Sequence, residues 1–138
     1  MGQDPRDKSA ATPVRLLIVE DDQAIRLALV ELLSGEGYEV EEATNGAVAL
    51  AKLRRGPLPA LILLDLMMPV MSGWEFMRQL KAEPQLRGLP VVVLSASPPS
   101  ALPEGIVSYL RKPVDLELLL STLAEHSAPR LLAVGSRQ

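Results

Sequence analysis

Four consecutive aliphatic residues, Leu61-Ile62-Leu63-Leu64, run directly into Asp65, and Leu66-Met67-Met68-Pro69 follow. Such an unbroken apolar run does not alternate between a wet and a dry face. It suits a strand buried on both sides, as in a parallel sheet covered by helices. The acid then stands just beyond the strand's carboxyl end, the edge at which open α/β sheets bind their ligands. A carboxylate there costs free energy unless a cation or hydrogen bonds compensate it. Taken alone, Asp65 is equally well an ordinary turn-capping residue.

The rest of the chain repeats the theme. Residues 15–20 (Arg-Leu-Leu-Ile-Val-Glu) form a second buried-strand run that leads into three acids, Glu20-Asp21-Asp22. Ile25, Leu29 and Leu32 then recur at helical spacing, with Asp22 as the N-cap and Gly35 or Gly37 as the stop. Residues 38–43 alternate as a strand, and Asn45 caps a helix through Leu53 that Gly56-Pro57 ends. After the 61–65 strand, Ser72-Gly73-Trp74-Glu75 has the form of a capping box and opens a helix bearing Phe76, Met77 and Leu80. Residues 91–94 and 107–110 supply the fourth and fifth strands, and Asp115 caps a last helix with Leu116, Leu119, Leu120 and Leu123 toward the core. Strands alternating with helices predict one α/β domain over residues 14–126, with a flexible arm at 1–13 and a loose tail at 127–138. The crossover between the fourth and fifth strands holds Pro98, Pro99, Pro103 and Gly105, which predicts at most a single helical turn at 100–104.

Composition removes several classes of function. A net charge of -3 disfavours a basic nucleic-acid face, and aromatic content of 3% leaves no base-stacking platform. The chain has no cysteine and one histidine, His126, near the C-terminus, so thiol chemistry is excluded and histidine catalysis disfavoured. No apolar run reaches the roughly 18 residues of a membrane span, and the N-terminus lacks an apolar leader, so cytoplasmic placement without membrane insertion is expected.

Polar groups collect at the predicted strand ends: Glu20 and Asp21, Asp65, Ser95 and Lys112. Clustered carboxylates repel one another and call for a divalent cation or a raised pKa. Oxygen donors without His or Cys favour Mg2+ over zinc. A lysine and a hydroxyl alongside complete an electrophilic cradle for a phosphoryl group, and an aspartate can itself be the nucleophile.

The segments Leu17-Ile18-Val19-Glu20-Asp21-Asp22, Leu64-Asp65-Leu66-Met67-Met68-Pro69-Val70-Met71-Ser72-Gly73, Val93-Leu94-Ser95-Ala96 and Tyr109-Leu110-Arg111-Lys112-Pro113 together resemble the response-regulator receiver domains of two-component signalling. The resemblance implies a flavodoxin-like fold: a five-stranded parallel sheet of order 2-1-3-4-5 with helices on both faces. It implies Asp65 as phosphoacceptor, and Asp21, Asp65 and the Met67 backbone carbonyl as direct Mg2+ ligands, with Glu20 acting through water. Lys112 would pair with Asp65 or the phosphoryl group, preceding a cis bond to Pro113. Ser95 would be the switch hydroxyl and Tyr109 the aromatic that follows it inward. The implied partners are a sensor histidine kinase or phosphotransfer protein and an unidentified downstream protein. No effector domain follows in the sequence, which leads to the expectation of a stand-alone receiver.

Blander readings stand beside these roles. Tyr109 also reads as a core or edge aromatic, Ser95 as a strand terminator, Asp22 as a helix cap, and Trp74 and Phe76 as packing residues. Arg111 is expected to face solvent, and His126 to sit at a helix end and not to donate phosphate. The crossover departs from the family pattern, in which a full fourth helix borders the output surface. Two other functions compete: a receiver-like interaction module that is never phosphorylated, and a Mg2+-dependent phosphatase with an Asp nucleophile. The second normally carries Asp-x-Asp at its first strand, which Glu20-Asp21-Asp22-Gln23 does not match.

Overall fold

The computed structural model describes residues 13–96 and 99–127. Among the described residues, five strands and four α-helices follow one another as β1 (Arg15–Val19), α1 (Gln23–Gly35), β2 (Glu39–Ala43), α2 (Gly46–Arg55), β3 (Leu61–Leu64), α3 (Gly73–Ala82), β4 (Val91–Ser95), β5 (Ser108–Arg111) and α4 (Leu116–His126). The strands are all parallel and ordered β2-β1-β3-β4-β5, so the flavodoxin-like topology is as expected. Apart from Pro13 and Ser127, the predicted arm and tail lie outside the described residues. Ser127 itself is buried at the C-cap of α4.

The period of the strands divides the core in two. Leu17, Val19, Ile62, Leu64, Val91 and Val93 face α2 and α3, meeting Leu50, Leu53, Phe76 and Leu80. Leu16, Ile18, Leu61, Leu63, Val92 and Leu94 face α1 and α4, meeting Leu29, Leu33, Leu119 and Leu123. Every residue of β3 is buried, which is why its sequence shows no polar alternation. β2, at a sheet edge, keeps Glu39 and Glu41 exposed.

The caps form where the sequence places them. Asp22, Asn45, Ser72 and Asp115 each accept a backbone N–H from the first turn of the helix that follows. The capping box at Ser72 is half made. Ser72 Oγ accepts the Glu75 N–H at 3.3 Å, but the Glu75 carboxylate is taken by Arg78 and Gln79, three and four residues further along the helix.

The fourth crossover is reduced, as predicted, but its turn lies earlier. A 3-10 turn occupies Pro99–Ala101, and nothing helical follows at 102–104. Pro99 suits a first helical position, whereas Pro103 lacks the N–H needed to extend the turn and pushes Leu102 out of the helical region. Trp74 holds the turn in place by donating its indole N–H to the Ala101 carbonyl. Gly105, at φ 89°, turns the chain back toward β5 against the Lys81 stem, a conformation side chains rarely adopt.

The β3–α3 connection contains one strained residue. Val70 has φ 68° at the centre of a tight turn in which the Met71 N–H reaches the Pro69 carbonyl at 2.6 Å. A β-branched residue is costly there, and Val70 is 84% exposed, so no packing offsets the strain. Val70→Asn is expected to raise stability by about 1 kcal/mol, seen as a higher urea midpoint. An unchanged or lower midpoint would contradict the strain.

Candidate functional site

β1 and β3 are neighbours in register, with Val19 opposite Leu64, so the residues that follow them emerge side by side. Glu20 donates its N–H to the Ala43 carbonyl at 3.0 Å, and Asp65 donates its N–H to the Val19 carbonyl at 3.0 Å. The ladder thus carries both acids one step past the strands. Glu20 is 2% and Asp65 4% exposed, whereas Asp21 faces solvent. Carboxylate oxygens of Glu20, Asp21 and Asp65 all lie within 4.8 Å of one another.

Lys112 reaches into this cluster from the end of β5, across β4. Its Nζ lies 3.2 Å from Glu20 Oε1 and 3.5 Å from Asp65 Oδ1. The resemblance implied a pairing with Asp65 or the phosphoryl group; the lysine bridges both acids and approaches Glu20 more closely. Its peptide bond to Pro113 is cis, as the resemblance implied. The cis bond at Gly56-Pro57 had no counterpart in the sequence reading.

One lysine does not balance three acids. Burial pushes the Glu20 carboxyl above its ordinary value, and the Asp65 charge adds to the rise. Burial also raises Asp65, against the opposing pull of Lys112 and the Met67 N–H, which points at Asp65 Oδ1 from 3.4 Å. Both acids are therefore held in an environment that favours neutralisation by a proton or a cation. The donors are all hard oxygens, and their close approach suits a small divalent cation such as Mg2+.

Ser95 is fully buried as the last residue of β4. Its carbonyl accepts the Lys112 N–H at 3.2 Å and the Tyr109 hydroxyl at 3.2 Å. The predicted switch pair and the lysine thus share one backbone atom. Tyr109 is half-buried and packs on the α2–α3 side of the core, which fits its reading as a core or edge aromatic. Met67 carries a 61% exposed side chain, and it is its backbone that faces Asp65. Of the remaining residues, Asp22 caps α1, Phe76 is buried, Arg111 is exposed and His126 ends α4.

Gly73 lets α3 begin against this loop. A methyl group on it would lie 2.6 Å from Leu66 Cα and 2.9 Å from the Asp65 carbonyl, both backbone atoms that cannot yield locally. Arg26, which bonds the Glu20 carbonyl, was not singled out from the sequence. Its helical position is ordinary, and its partners lie just past the end of β1 and on β2.

A parallel sheet with three acids and a lysine gathered at its carboxyl edge defines the class, an α/β domain with an acidic strand-end site. The family model for the response regulator receiver domain matches residues 16–124. The chain belongs to that family, and is a receiver domain of two-component signalling. It is 36% identical over 129 residues to the response regulator PleD of Caulobacter vibrioides, covering 90% of this chain and 28% of PleD. It is 40% identical over 116 residues to the response regulator MprA of Mycobacterium sp. strain KMS, covering 80% of this chain and 49% of MprA. The chain therefore spans half or less of these relatives. Among solved structures it resembles the response regulator TrrA of Thermotoga maritima in complex with Mg2+-BeF, at 30% identity and TM-score 0.73, covering 81% of this chain and 97% of that one. Family membership sets the phosphatase alternative aside. Among the described residues no helix is long and apolar enough to cross a membrane.

Proposed function

We propose that the domain accepts a phosphoryl group on Asp65 from a phosphohistidine of a sensor kinase or phosphotransfer protein, in the cytoplasm, and changes its protein contacts in response. The observation that carries this reading is the meeting of Glu20, Asp21, Asp65 and Lys112 at one sheet edge. An Asp65 carboxylate oxygen attacks phosphorus; the new O–P bond forms as the P–N bond breaks, and the bonding pair returns to the imidazole nitrogen, which takes up a proton. Lys112 stabilises charge on the transferring group, and Ser95 offers its hydroxyl to a phosphoryl oxygen. Asp21, Asp65 and the Met67 carbonyl would hold Mg2+, with Glu20 acting through water. When bound, the cation neutralises phosphoryl oxygens and the crowded acids.

Phosphorylation places about two negative charges beside Lys112 and Ser95. Movement of Ser95 would then pass to Tyr109 through the carbonyl that holds its hydroxyl. A cleft of about 530 Å3 beside Lys112, lined by Ile25, Leu29, Leu94, Pro113 and Val114, suits an apolar face of a protein donor. A small-molecule donor would not need it. Output through an effector, a relay or simple phosphate storage is open to this domain, and the reduced crossover alters the surface from which receivers usually act.

Acetyl phosphate with Mg2+ is expected to add about 80 Da to the native chain and nothing to Asp65→Asn, read by intact mass. Labelling of the Asn variant would remove Asp65 as nucleophile. Absence of labelling in the native chain, under conditions that label another receiver, would favour the unphosphorylated interaction module.

A further inference from the structure

Arg26, in the first turns of α1, has a side chain only 12% exposed. Its Nε donates to Glu42 Oε1 at 2.9 Å, and one terminal nitrogen donates to the Glu20 carbonyl at 2.9 Å. One guanidinium therefore ties α1 to the ends of β1 and β2. The Glu20 carbonyl belongs to the peptide that joins Glu20 to Asp21, so whatever fixes that oxygen fixes the plane from which both acids project. A planar guanidinium with two bonds in different directions has little freedom to tilt, and it transmits that rigidity to the peptide.

The other atoms of Glu20 are already placed. Its N–H goes to Ala43, Oε2 accepts the Asp22 N–H at 3.1 Å, and Oε1 accepts Lys112. Asp21 is different: it is exposed and follows directly from the peptide that Arg26 holds. We propose that Arg26 is a positioning residue for the acidic cation site, holding the Glu20–Asp21 peptide against Glu42 so that the Asp21 carboxylate stays within reach of Glu20 and Asp65. This rests on the reading that the cluster takes Mg2+.

Charge and position predict opposite signs. Removing a cation near three acids leaves the cluster more negative, which by Coulomb's law alone strengthens binding of a divalent cation. Releasing the peptide weakens it, and loss of a group that orients a metal ligand typically costs 10–100-fold in affinity.

The test is an MgCl2 titration of the full chain without phosphodonor, followed by the backbone amide shifts of Asp21 and Met67. Arg26→Ala is expected to bind Mg2+ about ten-fold more weakly than the native chain. Arg26→Lys keeps the charge but cannot span both oxygens, and is expected to weaken binding as well. Glu42→Gln, which loosens the far anchor at a half-buried position, should weaken it by less. Leu33→Val, a core change on the same helix, lowers stability without touching the acids and should leave the affinity unchanged. Equal or tighter binding in Arg26→Ala and Arg26→Lys overturns the positioning role. If Arg26→Ala does not fold, native affinity in both Arg26→Lys and Glu42→Gln overturns it. A native chain that does not bind Mg2+ fails the cation-site reading itself, a different result from equal binding by native chain and variants.

Discussion

Lys112→Ala is expected to slow phosphorylation by acetyl phosphate about 100-fold, the scale found when one group that stabilises a developing charge is removed. It is also expected to lower stability at neutral pH by about 2 kcal/mol, less than the usual cost of breaking a fully buried ion pair because the lysine is partly exposed. Both effects have one origin. The ammonium bridges Glu20 and Asp65, whose carboxyls burial already raises. Without it, among the described residues, the two acids face each other with backbone N–H groups alone to compensate them. The stability loss should shrink as the pH falls through the raised folded values, because protonation removes the repulsion that Lys112 offset. Single-turnover labelling and urea unfolding at several pH values measure the two parts. A native labelling rate would exclude Lys112 from the transfer step.

Asp65→Asn is expected to be more stable than the native chain at neutral pH in chelator, and less stable than it in saturating Mg2+. Asn keeps the shape and can still accept the Met67 N–H, so the change is mainly one of charge. The sign follows from linkage. The Asp65 carboxyl is raised in the folded state, so the folded protein holds that proton more tightly than the unfolded chain. Stability is therefore lost as the pH rises from the ordinary carboxylate value through the folded value, and the cost is fully present above both. Asn escapes that cost, so its advantage should appear at neutral pH and fade as the pH falls toward about 4. Mg2+ binding to the folded state then stabilises the native chain by mass action and the variant less. Urea midpoints across pH, with EDTA or MgCl2, decide it. An Asn variant less stable than native in chelator would show that Lys112 overcompensates the burial of Asp65.

Much of the fold was legible because it rests on local pattern. The aliphatic runs of β1, β3 and β4 are continuous since both faces of the sheet are covered, and Asp22, Asn45, Ser72 and Asp115 each cap a helix within three residues of themselves. Strand ends moved by a residue, as at β5, where pairing with β4 and not composition decides the boundary. The Pro99–Ala101 turn began earlier than expected for a local reason as well, the block at Pro103.

The site divides along the same line. The sequence by itself determined which chemistry is available: hard oxygen donors, one lysine, one hydroxyl, and a strand-end aspartate in a motif resembling receivers. Only the tertiary structure decided how those groups share their charges. Lys112 lies 92 residues from Glu20, yet approaches it more closely than it does Asp65, and Arg26 on α1 finds Glu42 16 residues away on β2. Such pairings depend on sheet order and on the angle at which each side chain leaves its strand or helix. Patterns of apolar residues encode burial, which is additive along the chain; ion pairs among buried acids depend on separations of an ångström or less, and those exist only once the layers have packed.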